Sequence, residues 1–373
     1  MSERNKPPFR ADHVGSLIRP ERLVAARLGR EAGSVSADEL LKIQHECIRE
    51  VVDIQQNLGL KVVTDGEFNR QSWQTDFLLK IANIGRTESK IRVRFHSKTG
   101  VRDSAPPSLV VQGKLGRPQP IFVDDFKFLA SIAKGTPKVT LPSPSVVHFR
   151  GGRNAIDPKA YPDIEEFYDD LARVYREEFA GLVDVGCRYL QIDEVNLAYL
   201  CDPALRAEVV NMGEDPASLP KTYSKLINAT LTDLPADMTV CMHLCRGNFG
   251  GMWVADGGYD PIAEMLFNDI KVNGYFLEYD SERAGGFEPL RFLPKGKIAV
   301  LGLMTTKSPD LETKDDLKRR IDQAAKFAPL EQLALSPQCG FSSGIGGQTM
   351  SVDQEIRKLE LIVETAREVW GSA

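Results

Sequence analysis

The stretch Met238-Thr239-Val240-Cys241-Met242-His243-Leu244-Cys245 reads as a short buried strand, Met238 to Met242, that runs into a His-x-Cys pair. Side chains on a strand alternate with period two, so His243 and Cys245 leave its end on one face. Two more apolar runs end in comparable residues. Gly274 to Leu277 is followed by Glu278, and Gln332 to Leu335 leads through Ser336-Pro337-Gln338 to Cys339. Working outward from these, short apolar strands alternate with long amphipathic segments, the pattern of a parallel α/β fold. Eight strands are predicted, around 11–16, 60–64, 138–142, 188–192, 238–242, 274–277, 298–304 and 333–336. Eight β/α units imply a closed TIM-type (β/α)8 barrel, in which function gathers at the C-terminal strand ends.

The intervening helices carry their own signals. Ser36-Ala37-Asp38-Glu39 resembles a capping box ahead of a helix to Asn57, with Gly59 as its stop. Asp163 to Val185 is helical and ends at Gly186; Thr313 to Phe327 and Val352 to Trp370 have helical spacing without internal proline. One region departs from the pattern. Residues 91–123 alternate (Ile91, Val93, Phe95, then Leu109, Val111) around a Ser/Pro/Gly-rich turn, which predicts a β-hairpin insertion between the second and third strands, serving as a dimer contact or an active-site flap. No repeat or linker divides the sequence, so residues 1–373 are expected to form one domain.

Composition narrows the function classes. Apolar residues at 42% and charged residues at 27% describe a globular protein with material for a large core. A net charge of −5 gives no support for nucleic-acid binding, and no apolar run approaches the roughly 20 residues of a membrane span. The N-terminal stretch, Met1 to Arg10, lacks the apolar core of a signal peptide. Six cysteines without regular spacing fit reduced thiols in a cytoplasmic protein, and a homo-oligomer is compatible with the composition.

Taken singly, His243, Cys245 and Cys339 are equally buried strand-end residues, since unpaired cysteine is among the most buried types. Together they follow strands five and eight on the rim where barrel sites form. With Glu278 after strand six they make a four-ligand zinc set, one imidazole, two thiolates and a carboxylate, with the carboxylate the readiest to leave. Cys47, Cys187, Cys201 and Cys241 fall away from this set and are expected to pack. Carboxylates close two other strands: Asp65-Gly66-Glu67 after the second and Asp193-Glu194 after the fourth. Glu67 and Asp193 are candidates to receive an ammonium group; Asp65 and Glu194 could equally pair with an arginine such as Arg70 and prop the rim. After the first strand, the glycine of Val14-Gly15-Ser16 allows close backbone approach, and Ser16 can offer N–H and hydroxyl to a carboxylate, although a plain tight turn explains it as well.

These motifs resemble the C-terminal catalytic barrel of cobalamin-independent methionine synthase over almost the whole sequence. The resemblance implies that His243, Cys245, Glu278 and Cys339 hold Zn2+, that Gly15 and Ser16 meet the homocysteine carboxylate, and that Glu67 and Asp193 meet its amine. The separate N-terminal barrel of full-length enzymes has no counterpart here, which suggests a core-only member. Two departures fall on the donor side. His148, in Pro142-Ser143-Pro144-Ser145-Val146-Val147-His148-Phe149, stands where the family places a tryptophan against the pterin. Lys307, in Thr305-Thr306-Lys307-Ser308-Pro309, stands where the family has a histidine thought to serve as acid. The basic run His148 to Arg153 could suit an anionic donor or thiol, or be a solvated loop.

The implied activity is zinc-dependent S-methylation of homocysteine to methionine, with Glu278, Lys307 and His148 as catalytic candidates and a 5-methyltetrahydrofolate-type donor used weakly. A zinc thiol alkyltransferase of another kind, similar to the epoxyalkane:coenzyme M transferases or using a different methyl donor, is the alternative. A barrel with a purely structural zinc is a third.

Overall fold

The later predicted strands, such as 238–242, 274–277 and 298–304, are almost wholly apolar, which is what a sheet covered on both faces requires. The computed structural model describes residues 4–87, 93–97, 100–104, 108–342, 344–346 and 348–373. Its strands are β1 (Val62–Val63), β2 (Ile84–Thr87), β3 (Val93–Ser97), β4 (Gly100–Ser104), β5 (Ser108–Val111), β6 (Thr136–Pro137), β7 (Val139–Pro142), β8 (Tyr189–Glu194), β9 (Thr239–Leu244), β10 (Gly274–Glu278), β11 (Ile298–Met304) and β12 (Leu333–Pro337). Strands β7 to β12 form one parallel sheet in sequence order, and β1 pairs in parallel with β6 immediately before β7. Ala11 makes a parallel bridge to Leu335 of β12. This is an α/β protein with a parallel sheet, consistent with the barrel fold expected.

The first predicted strand, around 11–16, is reduced to that bridge. The Asp12 carboxylate accepts from the backbone N–H groups of Phe9 (3.2 Å) and His13 (2.8 Å), so local side-chain bonds occupy donors a ladder would use. The excursion after β1 also starts earlier than read from the sequence. Ile84–Thr87 pairs antiparallel with Ser108–Val111, and Val93–Ser97 with Gly100–Ser104, while Val123 already opens a helix to Ile132. Ile91 lies outside the described residues.

The long helices follow their sequence signals. Ser36 accepts from the Glu39 N–H at the start of Ala37–Asn57. Asp163 caps Ile164–Asp184, and Thr313 caps Lys314–Ala324. Ser351 and Gln354 form a reciprocal capping box for Val352–Trp370. No described helix is long and apolar enough to cross a membrane. The helices bury their apolar faces outside the sheet, where Leu171, Tyr175, Ile362 and Trp370 are almost fully buried.

Inside the sheet, a separate apolar cluster joins Val14, Val62, Tyr189, Cys241, Phe276, Val300 and Ala334. One buried ion pair interrupts it from below. Lys138 Nζ bonds Asp12 Oδ1 at 2.9 Å, and Tyr189 donates to the other Asp12 oxygen at 2.8 Å. Such a pair tolerates burial only because its remaining valences are filled, here by the His13 carbonyl and by Gln191. Two residues further along their strands, with the same inward orientation, come Asp193, His243 and Glu278. The core layer therefore sets the floor of the site.

Candidate metal centre and its cavity

The strand period that buries Cys241 lifts His243 one layer and Cys245 another, to the C-terminal edge of the sheet. Cys339 arrives from the loop after β12. The ligand atoms of His243, Cys245 and Cys339 all lie within 4.8 Å of one another, and all three residues are buried. The two sulfurs are 3.3 Å apart and share a proton. The hydrogen bond from Cys339, together with the His243 ring and against burial, lowers the Cys245 thiol to about 5. The Cys339 thiol is correspondingly pushed well up, first by that same bond and then by burial. The Gly247 N–H also points at the Cys245 sulfur, at 3.3 Å.

These residues suit a zinc ion. Both ring nitrogens of His243 are buried without a hydrogen-bond partner, an arrangement a metal ligand would explain. The imidazole and two sulfurs are the donor set zinc prefers. A tetrahedral ion with bonds of ~2.3 Å would hold its sulfurs ~3.8 Å apart, so the thiols need part only slightly.

Glu278 ends β10 beside this group but outside the set of three. Its Oε2 accepts from the Arg246 N–H at 3.0 Å, and its Oε1 is held by Arg283 and, at 2.9 Å, by Lys307 Nζ. Burial alone would raise its pKa, but Lys307 and Arg283 outweigh it and leave Glu278 at about 2. Lys307 in turn faces Asp280 at 3.5 Å. Burial lowers the Lys307 ammonium, and Glu278 and Asp280 more than reverse it, so its pKa ends above the ordinary lysine value. A lysine so held stays charged at neutral pH and has little tendency to donate a proton.

A cavity of about 300 Å³ opens onto the triad. His243, Cys245 and Cys339 line it together with Ser16, Glu67 and Asp193, so the amino-acid side predicted from sequence meets the metal side in one space. Glu67 has φ 61°, a left-handed conformation that points to a constrained position. Its Oε1 accepts from Thr140 at 2.9 Å, while its Oε2 is buried with no partner. Asp193 Oδ1 accepts from Gln191 at 2.7 Å. Burial lifts the Asp193 carboxyl to about 7; the His243 ring opposes the rise and the Glu67 charge adds to it. Glu67 and Asp193 thus bring two carboxylates to one cavity.

Backbone closeness explains the glycines around Ser16. Gly15 has φ 139°, and a Cβ there would stand 2.5 Å from Thr140 Cγ2. A Cβ on Gly340 would stand 1.9 Å from Ser16 Oγ. Asp65 accepts from the Glu67 N–H at 2.9 Å, so it shapes that turn. Glu194 is wholly structural in its contacts: Ser145 and the Asn196 and Leu197 N–H groups occupy its oxygens. Arg70 reaches Glu67 at 3.7 Å and the Thr140 carbonyl at 2.8 Å, not Asp65 or Glu194.

His148 does not line the cavity. Its Nδ1 is 2.9 Å from the Tyr223 hydroxyl and its Nε2 is 3.5 Å from Glu214, within a packet that includes Tyr168. Burial lowers its pKa, with Glu214 opposing. The cavity wall at this point is Arg150 instead. The aromatic wall is made of Trp73, Phe95, Phe249 and Tyr199, none of which was singled out from the sequence as a site residue; Phe95 comes from β3, Tyr199 from the helical turn Asn196–Tyr199, and Trp73 and Phe249 from loops, so no local spacing announces them together. The remaining cysteines, Cys47, Cys187, Cys201 and Cys241, are buried and free.

Comparison with known proteins accords with this geometry. Residues 9–368 match the family described as "Cobalamin-independent synthase, Catalytic domain". An uncharacterized Bacillus subtilis protein, YxjH, is 41% identical over 99% of this chain and 96% of its own. A methionine synthase of Pyrococcus abyssi is 24% identical over 88% of this chain and 84% of its own. Among solved structures, a Listeria monocytogenes protein described as a vitamin-B12-independent methionine synthase superposes with a TM-score of 0.78 at 33% identity, covering 99% of this chain and all of that one.

Proposed function

Because the chain belongs to the catalytic-domain family of the cobalamin-independent methionine synthases, we propose that it methylates the thiol of homocysteine to give methionine, on a closed (β/α)8 barrel and with a 5-methyltetrahydrofolate-type donor. The observation that carries this reading is the opening of one cavity onto both the His243/Cys245/Cys339 triad and the Ser16, Glu67 and Asp193 side chains.

A zinc ion bound by the triad would supply the Lewis acidity that turns a substrate thiol into a nucleophilic thiolate at neutral pH. The residues of the chain do the rest. Glu67 Oε2, buried and unpartnered, and Asp193 take the substrate ammonium and fix the amino acid's direction. Ser16 offers its hydroxyl to the carboxylate, and Gly340 leaves room for it. Lys307 and Arg283 keep the Glu278 charge neutralised beside the triad, so the anionic sulfurs do not face a bare carboxylate. In the alternative reading, a thiol without an ammonium group would leave Glu67 and Asp193 unpaired in a closed space, which favours homocysteine over a coenzyme M-type thiol. A structural zinc would have no use for a cavity at its ligands.

Zinc-loaded protein assayed with homocysteine and a panel of methyl donors tests the proposal. Methionine formation with at least one donor, and a homocysteine-induced change in the zinc X-ray absorption edge, are expected. Absence of any such change would refute it.

A further inference from the structure

Three charged side chains line the cavity among the described residues: Glu67, Asp193 and Arg150. The two carboxylates belong to the proposed ammonium receptor. Arg150 follows the short helix Ser145–Phe149 and is half-buried. Two other buried guanidinium groups are tied down, Arg19 by the Ser342 and Glu67 carbonyls and Arg283 by Glu278 and Asp280. Arg150 has no hydrogen bond or ion pair among the described residues. Glu214, the carboxylate that reaches the same loop, is committed to the Arg153 N–H at 2.7 Å and to His148 at 3.5 Å. Among the described residues, the one titratable neighbour that acts on Arg150 is Tyr199, whose phenol burial raises far above neutrality, so it brings no charge.

A cation partly removed from water with no counter-charge is costly unless a ligand supplies one. The same cavity is lined by Trp73, Phe95 and Phe249, with Phe95 and Phe249 tilted at 6.0 Å between ring centres. Aromatic faces accept a planar or apolar body.

We propose that Arg150 is the specificity-determining residue for the second substrate: the alkyl donor carries an oxyanion, held by this guanidinium, on a planar apolar body packed against the aromatic wall. The inference rests on reading the cavity as a two-substrate transferase pocket, with the amino-acid zwitterion already served by Ser16, Glu67 and Asp193.

Benzoate and benzamide test it, being the same shape with and without the charge. Ligand-observed NMR titrations of the zinc-loaded full-length protein, with homocysteine present, should show wild type binding benzoate at least tenfold more tightly than benzamide. Arg150→Gln should bring that ratio close to one, and Arg150→Lys should keep part of it, with melting temperatures confirming that both variants are folded. Homocysteine affinity should be unchanged in Arg150→Gln. Undetectable benzoate binding, equal binding of the two probes by wild type, or a preference that survives in Arg150→Gln would overturn the proposal. So would a loss of homocysteine affinity with the benzoate ratio intact, which would give Arg150 to the amino acid. Failure of wild type to bind homocysteine would count against the transferase reading and leave the benzoate ratio as a separate measurement.

Discussion

Replacing Cys339 by serine should remove the metal and leave the fold. The structure sets both halves of that expectation. Cys339 is one of three residues whose ligand atoms lie within 4.8 Å of one another, and a serine hydroxyl is not a ligand that zinc takes in such sites. Structural zinc sites with four ligands bind with apparent free energies of about 10–16 kcal/mol, or about 2.5–4 kcal/mol per ligand. Loss of one sulfur should therefore weaken zinc binding roughly 10²–10³-fold. The fold should persist because Cys339 sits in the loop beyond β12 and is not part of the inner apolar layer. Zinc stoichiometry by mass spectrometry after dialysis against a competing chelator measures the first half, and circular dichroism with thermal melting measures the second. Wild-type zinc affinity in the variant, or global unfolding, would refute the assignment of Cys339 to a catalytic metal centre.

Asp193→Asn removes a charge with little change of shape and should cost on the order of 1.5–3 kcal/mol of homocysteine binding, measured by calorimetry; equal wild-type affinity for homocysteine and its deaminated analogue would contradict it. His148→Trp should lower stability by about 1–3 kcal/mol, because the ring is enclosed by Tyr168, Tyr223 and Glu214 and has no room to grow; an unchanged melting temperature would show that the packet is loose. Glu355 is buried, accepts from the Ile18 N–H at 3.0 Å, and is pushed by burial to about 8. An acid raised in the folded state favours folding only while protonated, so its stabilisation is complete below pH ~4.5 and is lost as pH rises through about 8. Glu355→Gln should accordingly raise stability by on the order of 3 kcal/mol at pH 7 and by little at pH 4, in denaturant titrations at the two pH values.

The parts of this structure legible in sequence are those decided by local periodicity. Strand β11 and the helix Val352–Trp370 have the bounds expected, because each is a run whose apolar pattern and flanking residues agree. Strands β8 and β9 extend further than read, to Glu194 and Leu244, since parallel pairing on both sides carries polar residues into the ladder. The pairing of Ile84–Thr87 with Ser108–Val111 joins segments whose order in the chain says nothing about their register. The first strand was misjudged in extent because Asp12 competes with the sheet for backbone donors.

The same division runs through the site. His243 and Asp193 lie on β9 and β8, where alternation fixes direction, and Cys245 directly follows β9, while Glu67 and Cys339 reach the same space from the turns after β1 and β12. Residues 148 and 150 lie on and just past a single helical turn, where two positions differ by about 200° of rotation. Sequence spacing does not give the phase of so short a helix, so His148 was expected at the wall that Arg150 occupies. Glu278 is legible as a strand-end carboxylate, but its ion pairs with Lys307 and Arg283 come from the loops after β11 and β10. His243 and Asp193 therefore stand on rigid strands, while Arg150, Trp73 and Phe249 stand on connections that can change residue type without disturbing the sheet. If the second substrate is the anion proposed above, Arg150 is the position on those connections that would select it.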